Sequence, residues 1–128
     1  MEYMGGRDLN HHVTTLGRLE EAEARHLFIE IVKGVLACHR KNVLHRDLKL
    51  ENILLDQTKT RPKIWDFGAS KIIKRTVANF GRYGTPVYIA PEVINDRGYT
   101  GFASDVWSLG VMLYTMVVGT VPFCADTF

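Results

Sequence analysis

The first regular pattern along the chain is an apolar stripe between residues 20 and 41. Apolar side chains recur there every three or four residues, a spacing that places them on one face of a helix. The stripe consists of Leu27, Phe28, Ile31, Val32, Val35 and Leu36. Glutamates occupy the first turn and basic residues the last, so both ends complement the helix dipole. The pattern predicts a helix over residues 20–41, and Leu19-Glu20 at its start offers no good N-cap.

The segments on either side of this helix are irregular. Residues 1–12 are polar and turn-rich, and they show no period. After the helix, short β-prone pieces at 43–44, 53–55 and 63–64 alternate with polar turns, which predicts small strands joined by loops. Residues 66–92 are rich in glycine and proline and also lack a period. A loop of that length in a compact domain is usually functional.

The last third of the chain contains an uncharged stretch from Val106 to Ala125. Its 20 residues are enough to span a bilayer, but a helix that is apolar all round also fits the centre of a soluble protein. Interruption by hydroxyl side chains, by glycine and by Pro122 favours the buried helix, with a membrane anchor as the alternative. Ser104-Asp105 precedes the stretch as a candidate cap, so we predict a buried helix over residues 105–121.

Composition and charge exclude several classes of protein. The 128 residues are 46% hydrophobic and 23% charged, which is ordinary for a globular domain and unlike a disordered chain. The net charge of +2 gives no reason to expect binding to nucleic acid or to an anionic membrane. Cys38 and Cys124 are too few for a disulfide scaffold, and the chain starts without a secretory signal. The default expectation is a cytoplasmic protein, with the nucleus as the other compartment.

Candidate chemistry is concentrated in the polar middle third. The run His-Arg-Asp-Leu-Lys-Leu-Glu-Asn ends at Asn52, and Asp-Phe-Gly begins fourteen residues later at Asp66. Asn52 and Asp66 offer the oxygen ligands that Mg²⁺ prefers. Asp47 could accept a proton from a hydroxyl group while Lys49, two positions on, neutralises a phosphate. Because a lone Asp-Phe-Gly is more often a turn than a metal site, the inference depends on the combination and its order.

Four motifs in this order make the chain resemble the eukaryotic protein kinase family. They are His-Arg-Asp-x-Lys-x-x-Asn at 45–52, Asp-Phe-Gly at 66–68, Gly-Thr-Pro-Val-Tyr-Ile-Ala-Pro-Glu at 84–92 and Asp-Val-Trp-Ser-Leu-Gly at 105–110. The resemblance covers essentially the whole chain. Lys49 and the Gly-Thr-Pro sequence are similar to the serine/threonine branch, and the overall run is similar to calcium/calmodulin-dependent and AMP-activated kinases.

The resemblance implies a fold and a segmentation of the chain. The fold is mainly α (α+β overall), the truncated large C-terminal lobe of a protein kinase with a few short β-strands around the catalytic loop. The implied segments of this partial domain, residues 1–128, are the hinge (1–6), a helix (20–41), the catalytic loop (45–52), the metal motif (66–68), the activation segment (66–92) and the buried helix (105–121).

The resemblance also implies ATP and Mg²⁺ as cofactors and a role for each residue of the nucleotide site. Asp47 would orient and deprotonate the substrate hydroxyl, and Lys49 would stabilise the transferred phosphoryl group. Asn52 and Asp66 would bind the Mg²⁺ ions that bridge the phosphates. Adenine would contact the hinge backbone and an apolar floor, formed by Glu2, Met4 and Leu54.

Further roles concern the protein substrate, which would offer a serine or threonine hydroxyl, and regulation. Thr85 would connect the substrate-docking segment to Asp47 and Lys49, and Glu51 is available to a basic substrate side chain. Arg46 is the type of residue that pairs with a phosphate on the activation segment, and we hypothesise Thr76 as that phosphosite. Asp105 would cap the buried helix and hold the backbone of the catalytic loop.

The sequence departs from the family pattern in what it lacks and at Trp65. It contains no Gly-x-Gly-x-x-Gly and no phosphate-binding lysine strand, so we expect an incomplete domain that transfers phosphate poorly in isolation. Trp65 stands where relatives have a small residue, and we expect it to crowd the purine. The alternative is a non-catalytic, pseudokinase-like module that scaffolds or competes for kinase partners. The intact Asp47, Lys49, Asn52 and Asp66 argue against it.

Overall fold

The computed structural model describes residues 4–74, 81–96, 98–99 and 101–123. The fold expectation is confirmed, because the described chain is mainly helical with a few very short strands. The helices are α1 (Leu9–Leu16), α2 (Glu21–Arg40), α3 (Pro91–Asn95) and α4 (Phe102–Val118). The strands are β1 (Val43–Leu44), β2 (Ile53–Leu55), β3 (Pro62–Ile64) and β4 (Lys71–Ile72).

Helix α2 corresponds to the amphipathic pattern at 20–41, but its buried face is narrower than predicted. The residues that face the core are spaced by three and four: Ala24, Leu27, Ile31 and Val35. Val32 and Leu36, two members of the predicted apolar stripe, are 37% and 45% exposed. As expected, Glu20 makes no side-chain cap.

Helix α1 lies where the sequence pattern indicated irregular chain. Asp8 is its N-cap, and the Asp8 carboxylate accepts a hydrogen bond from the His11 backbone N–H at 2.8 Å. Leu9 and Val13, four residues apart, are buried in the main core. Gly17, with φ of 84°, ends the helix.

Helix α4 begins at Phe102, three residues before the predicted start. Ser104 and Asp105 therefore lie inside its first turn, and the expectation that they cap the helix is wrong. The helix ends at Val118, and Gly119 follows with φ of 96°.

Only one face of α4 is buried, although its sequence is apolar nearly all round. Leu109, Met112 and Met116 lie in the core, whereas Val106 and Tyr114 on the opposite side are 58% and 43% exposed. The predicted buried helix is therefore buried on one side only. Among the described residues, no helix is both long and apolar enough to cross a membrane.

Two antiparallel pairs of strands place the polar loops on this helical body. Strand β2 pairs with β3, with Ile53 opposite Ile64, and β1 pairs with β4. Residues 6–8 run along the other edge of β2, where the Gly6 N–H donates to the Leu55 carbonyl at 2.9 Å. Strand β4 lies within residues 66–92, where the sequence showed no period, and helix α3 begins at the end of that stretch.

Candidate active site

A single buried carboxylate fixes the start of the polar loop at residues 45–52. Asp105, 1% exposed on α4, accepts hydrogen bonds from the backbone N–H groups of His45 (3.0 Å) and Arg46 (3.1 Å). Its Oδ2 also lies 2.8 Å from His39 Nε2 on α2. Hydrogen bonds to an ionised acceptor are about twice as strong as neutral ones. Asp105 therefore ties the loop to two helices, which is the loop-holding role expected for it.

His45 is a structural residue inside this loop. Its ring is 2% exposed, its Nε2 lies 3.0 Å from the Trp65 carbonyl oxygen, and its Nδ1 accepts from the Asp47 N–H at 3.2 Å. A carbonyl can only accept, so Nε2 carries the proton and Nδ1 is the acceptor. The His45 ring thus connects the backbone of Asp47 to the residue that precedes Asp66.

Asp47, Lys49 and Thr85 form one contact set. The Thr85 hydroxyl donates to Asp47 Oδ1 at 3.0 Å, and Lys49 Nζ donates to the Thr85 hydroxyl oxygen at 2.8 Å. Lys49 Nζ also lies 3.7 Å from Asp47 Oδ2. The ammonium group therefore contacts one side of the carboxylate while Oδ2 keeps room for a further donor. This is the grouping that the sequence resemblance implied.

Asn52 and Asp66 lie at the open end of the β2–β3 hairpin. The Trp65 N–H donates to the Asn52 carbonyl at 3.0 Å, so Asn52 is opposite Trp65 and Asp66 follows directly. Asn52 Nδ2 donates to the Asp47 carbonyl at 2.7 Å, which leaves its amide oxygen available as a ligand. Asp66 is exposed, and its Oδ1 accepts the Gly68 N–H at 3.3 Å.

This pair of oxygen donors fits Mg²⁺. Within the described residues, no cluster of three or more His, Cys, Asp or Glu side chains is present. Mg²⁺ needs no such cluster, because it keeps several waters and takes one or two protein carboxylates together with phosphate oxygens. Asp66 and Asn52 would supply the protein oxygens.

The predicted adenine contacts lie only partly within the described residues. Leu54 is half-buried and points to the opposite face of β2 from the buried Ile53 and Leu55. Met4 is half-buried two residues before Gly6, which pairs with β2. Glu2 lies outside the described residues.

Trp65 lies on the same face of the hairpin as Leu54, because it follows Ile64 by one residue. Its indole is 46% exposed, and the indole N–H donates to the Glu51 carbonyl at 3.3 Å. Glu51 itself is half-buried. Trp65 therefore lies beside the predicted purine site, and its effect on the base stays a prediction.

Arg46 is bound to three separate parts of the chain. Its Nε–H donates to the Ala69 carbonyl, its guanidinium carbon lies 3.7 Å from the centroid of the Tyr83 ring, and it hydrogen-bonds the Tyr99 side chain. Thr76, the hypothesised phosphosite, lies outside the described residues. The contact between Arg46 and Tyr83 was not predicted, because nothing in the spacing indicates that residues 37 positions apart meet.

A buried tyrosine underlies the loop. Tyr88 is 5% exposed, and burial, with the nearby Glu51 charge, raises the pKa of its phenol to about 12. The Ser108 hydroxyl donates to the Tyr88 carbonyl at 2.9 Å, which attaches the 86–88 turn to α4. In the sequence, the 86–88 turn could be recognised only as part of the motif at residues 84–92.

Residues 1–127 match the family model described as protein kinase domain. This chain therefore belongs to the protein kinase family.

Relatives in the family are serine/threonine kinases. The chain is 49% identical over 124 residues to the serine/threonine-protein kinase SAPK3 of Oryza sativa subsp. indica, covering 96% of this chain and 37% of that protein. Identity to the serine/threonine-protein kinase SRK2A of Arabidopsis thaliana is 48% over 124 residues, covering 96% and 34%. The CBL-interacting protein kinase 31 of Oryza sativa subsp. japonica is 47% identical over 129 residues, covering 98% and 28%. The chain thus spans about a third of the length of the curated relatives it matches.

Proposed function

We propose that this chain forms the phosphoryl-transfer and substrate-docking part of a site that passes the γ-phosphate of ATP to a serine or threonine hydroxyl of a protein substrate. The observation that carries the proposal is the contact set of Asp47, Lys49 and Thr85, with distances of 3.0, 2.8 and 3.7 Å. A carboxylate whose Oδ2 lies beside an ammonium group and accepts no hydrogen bond from the described residues suits an alcohol acceptor and an anionic transferred group.

The residues of this set divide the work of the reaction. Asp47 Oδ2 accepts the hydrogen bond, and then the proton, of the substrate hydroxyl, whose oxygen bonds the γ-phosphorus as the bond to ADP breaks. Lys49 stabilises the negative charge on the transferred group. Thr85 fixes the orientation of Asp47 through Oδ1 and keeps Oδ2 facing the acceptor.

Mg²⁺, when bound, would neutralise the charge of the ATP phosphates. Asp66 and Asn52 suit its binding because the hairpin presents both at one end. The Asn52 side chain also donates to the Asp47 carbonyl. This hydrogen bond connects a proposed metal ligand to the backbone of the proposed proton acceptor. Leu54 and Met4 are the proposed adenine contacts, with Glu2 as a further sequence-based assignment.

The protein substrate would dock along residues 84–92. Glu51 is proposed to bind a basic side chain of that substrate, because it is half-buried and directly precedes Asn52. Phosphorylation of Thr76, with Arg46 as the residue that responds, remains a sequence-based proposal.

The test measures transfer of labelled γ-phosphate from Mg·ATP to a serine peptide by the protein expressed from its complete coding sequence. Asp47→Asn keeps the side-chain volume and removes the proton acceptor, and we expect at least about a 100-fold loss of kcat. Asp66→Asn should instead raise the Mg²⁺ concentration needed for half-maximal rate. Glu30→Gln is the matched control, because Glu30 is exposed on α2 and pairs only with Lys33 in the described chain.

Two results would contradict the proposal. Equal rates in the parent protein and in Asp47→Asn would show that the transfer comes from another protein in the preparation. Absence of transfer with intact folding would favour the non-catalytic, scaffolding alternative. Binding of Mg·ATP, measured by calorimetry on the same samples, would then show whether the nucleotide site exists without the reaction.

A further inference from the structure

The cation of Arg46 has an uncharged partner. The guanidinium carbon of Arg46 lies 3.7 Å from the centroid of the Tyr83 ring, well within the range of a cation–π contact. Among the described residues, no carboxylate lies within 4 Å of this guanidinium group. Its other recorded bonds go to the Ala69 carbonyl and the Tyr99 side chain. The Tyr83 ring is therefore the main contact of the positive charge on this side of the loop.

The backbone beside Tyr83 also lies against the loop that carries Asp47. Gly84 has φ of 105°, and a Cβ at this position would lie 2.8 Å from the Arg46 carbonyl oxygen. Only a glycine allows the two backbones to approach this closely at such a φ. The remaining cavity between the two segments is about 20 Å³, enough for one water.

Two neighbouring contacts thus connect the same two segments. Tyr83 contacts Arg46, and Thr85 donates to Asp47, so residues 83 and 85 bind residues 46 and 47. The Tyr99 hydroxyl donates to the Gly81 carbonyl at 2.9 Å, which fixes the chain just before Tyr83. Loss of the Tyr83 contact would leave Thr85 as the main link to Asp47.

We propose that Tyr83 is a positioning residue: its ring binds the Arg46 guanidinium and thereby holds Thr85 against Asp47 without any negatively charged side chain on residues 81–85. We call the contact between the Tyr83 ring and the Arg46 guanidinium the clamp. Its effect on phosphoryl transfer through Asp47 rests on the proposed function, whereas the clamp itself does not. A cation–π contact at a partly exposed site favours the state in which residues 81–85 are held against Arg46 over the released state by about three- to thirtyfold.

The experiment compares Tyr83→Leu, which keeps an apolar side chain without a ring, with Tyr83→Phe, which keeps the ring face. Amide hydrogen–deuterium exchange is followed in peptides that cover residues 84–88. We expect exchange to become about three- to thirtyfold faster in Tyr83→Leu and to stay within about twofold in Tyr83→Phe. Tyr114→Leu is the matched control, because Tyr83 and Tyr114 are each 43% exposed and Tyr114 has no cation–π contact in the described chain.

A second variant covers the case in which Tyr83→Leu unfolds. Arg46→Met keeps an unbranched side chain and removes the charge, and it should speed exchange of residues 84–88 by a similar factor. The Tyr83→Leu/Arg46→Met double variant should exchange no faster than Arg46→Met alone, because replacement of Arg46 has already removed the contact with the Tyr83 ring. Additive effects, or equal exchange in Tyr83→Leu and Tyr83→Phe, would overturn the proposal.

Phosphoryl transfer by the same variants separates this inference from the proposed function. Tyr83→Leu should lower kcat about three- to thirtyfold and leave the KM for ATP unchanged, because Asp47 and not the nucleotide site is affected. Faster exchange in a protein that transfers no phosphate would support the clamp and refute the proposed function. Unchanged exchange and unchanged kcat in a protein that transfers phosphate would refute the clamp alone.

Discussion

Replacement of Asp105 by asparagine tests how much one buried carboxylate contributes to the site. Asparagine has nearly the same shape, but its amide provides one acceptor oxygen where Asp105 provides two. In the parent protein, Oδ1 accepts the Arg46 N–H, while Oδ2 accepts the His45 N–H and contacts His39. Whichever way the new amide is oriented, its NH₂ group faces at least one of these N–H donors. At least one donor therefore loses its acceptor.

The size of the effect follows from these bonds. A hydrogen bond to a charged group contributes about 1.5–3 kcal/mol, and a buried donor left without a partner costs about 1–3 kcal/mol. We therefore expect Asp105→Asn to lower the free energy of unfolding by about 3 kcal/mol. For a domain of this size that corresponds to a fall in Tm of roughly 10 °C.

The assay is thermal unfolding followed by circular dichroism, with Asp56→Asn as the matched control. Asp56 Oδ1 also accepts two backbone N–H groups, those of Thr60 and Arg61, but it does so in an exposed turn. Both N–H groups share one oxygen, which the amide of asparagine retains, so Asp56→Asn should melt close to the parent protein. Equal shifts in the two variants would refute the reasoning, since the loss of a buried acceptor at Asp105 would then add nothing.

Two further predictions concern the segment at 84–88. Gly84→Ala should lower the free energy of unfolding by about 1–3 kcal/mol, because alanine disfavours φ of 105° and its Cβ would lie 2.8 Å from the Arg46 carbonyl oxygen. The control is Gly110→Ala in α4, which should not destabilise the protein because nothing lies within 4 Å of the added Cβ. A Gly84→Ala variant that melts at the temperature of the parent protein would contradict this prediction. Tyr88, whose pKa is raised to about 12, keeps its proton in the folded state while the unfolded state loses it near pH 10. This pKa difference should therefore contribute about 2 kcal/mol to the free energy of unfolding below pH 10, and the contribution should be lost as pH rises toward 12. In urea titrations, the free energy of unfolding of Tyr88→Phe should fall less steeply with alkaline pH than that of the parent protein.

Helices were predictable where one long pattern determined them. Buried apolar residues recur on one face from Ala24 to Val35, about three turns, so α2 could be located from the sequence alone. Helix α1 has only eight residues, and its signals, the cap at Asp8 and the pair Leu9 and Val13, are too few to distinguish it from polar loop.

Interactions between distant residues account for most of what was missed. Asp105 resembles a cap because serine precedes it, but its carboxylate is occupied by the backbone of residues 45 and 46, about 60 positions away. Tyr83 meets Arg46 through the fold of a segment that has no period. Val32 is exposed because nothing among the described residues covers that part of α2, and the periodicity of a sequence carries no information on what packs against a helix.

Within the site, the resemblance identified which residues matter but not how they are arranged. Asp47, Lys49 and Thr85 were expected together, and the structure adds that Thr85 contacts both of the others. The tautomer of His45 could not be obtained from the sequence, because it depends on the Trp65 carbonyl and the Asp47 N–H.

The β2–β3 hairpin also determines where the length of this protein can change. Asn52 and Asp66 meet because Ile53 lies opposite Ile64, and the intervening turn closes with a hydrogen bond from the Asp56 N–H to the Arg61 carbonyl at 3.2 Å. An insertion between Asp56 and Arg61 would lengthen an exposed loop and leave both oxygen donors in place. One residue added within either strand would turn a donor to the opposite face. Residues 57–60 are therefore the place for an epitope tag or a fluorescent label, at the end of the hairpin away from Asn52 and Asp66.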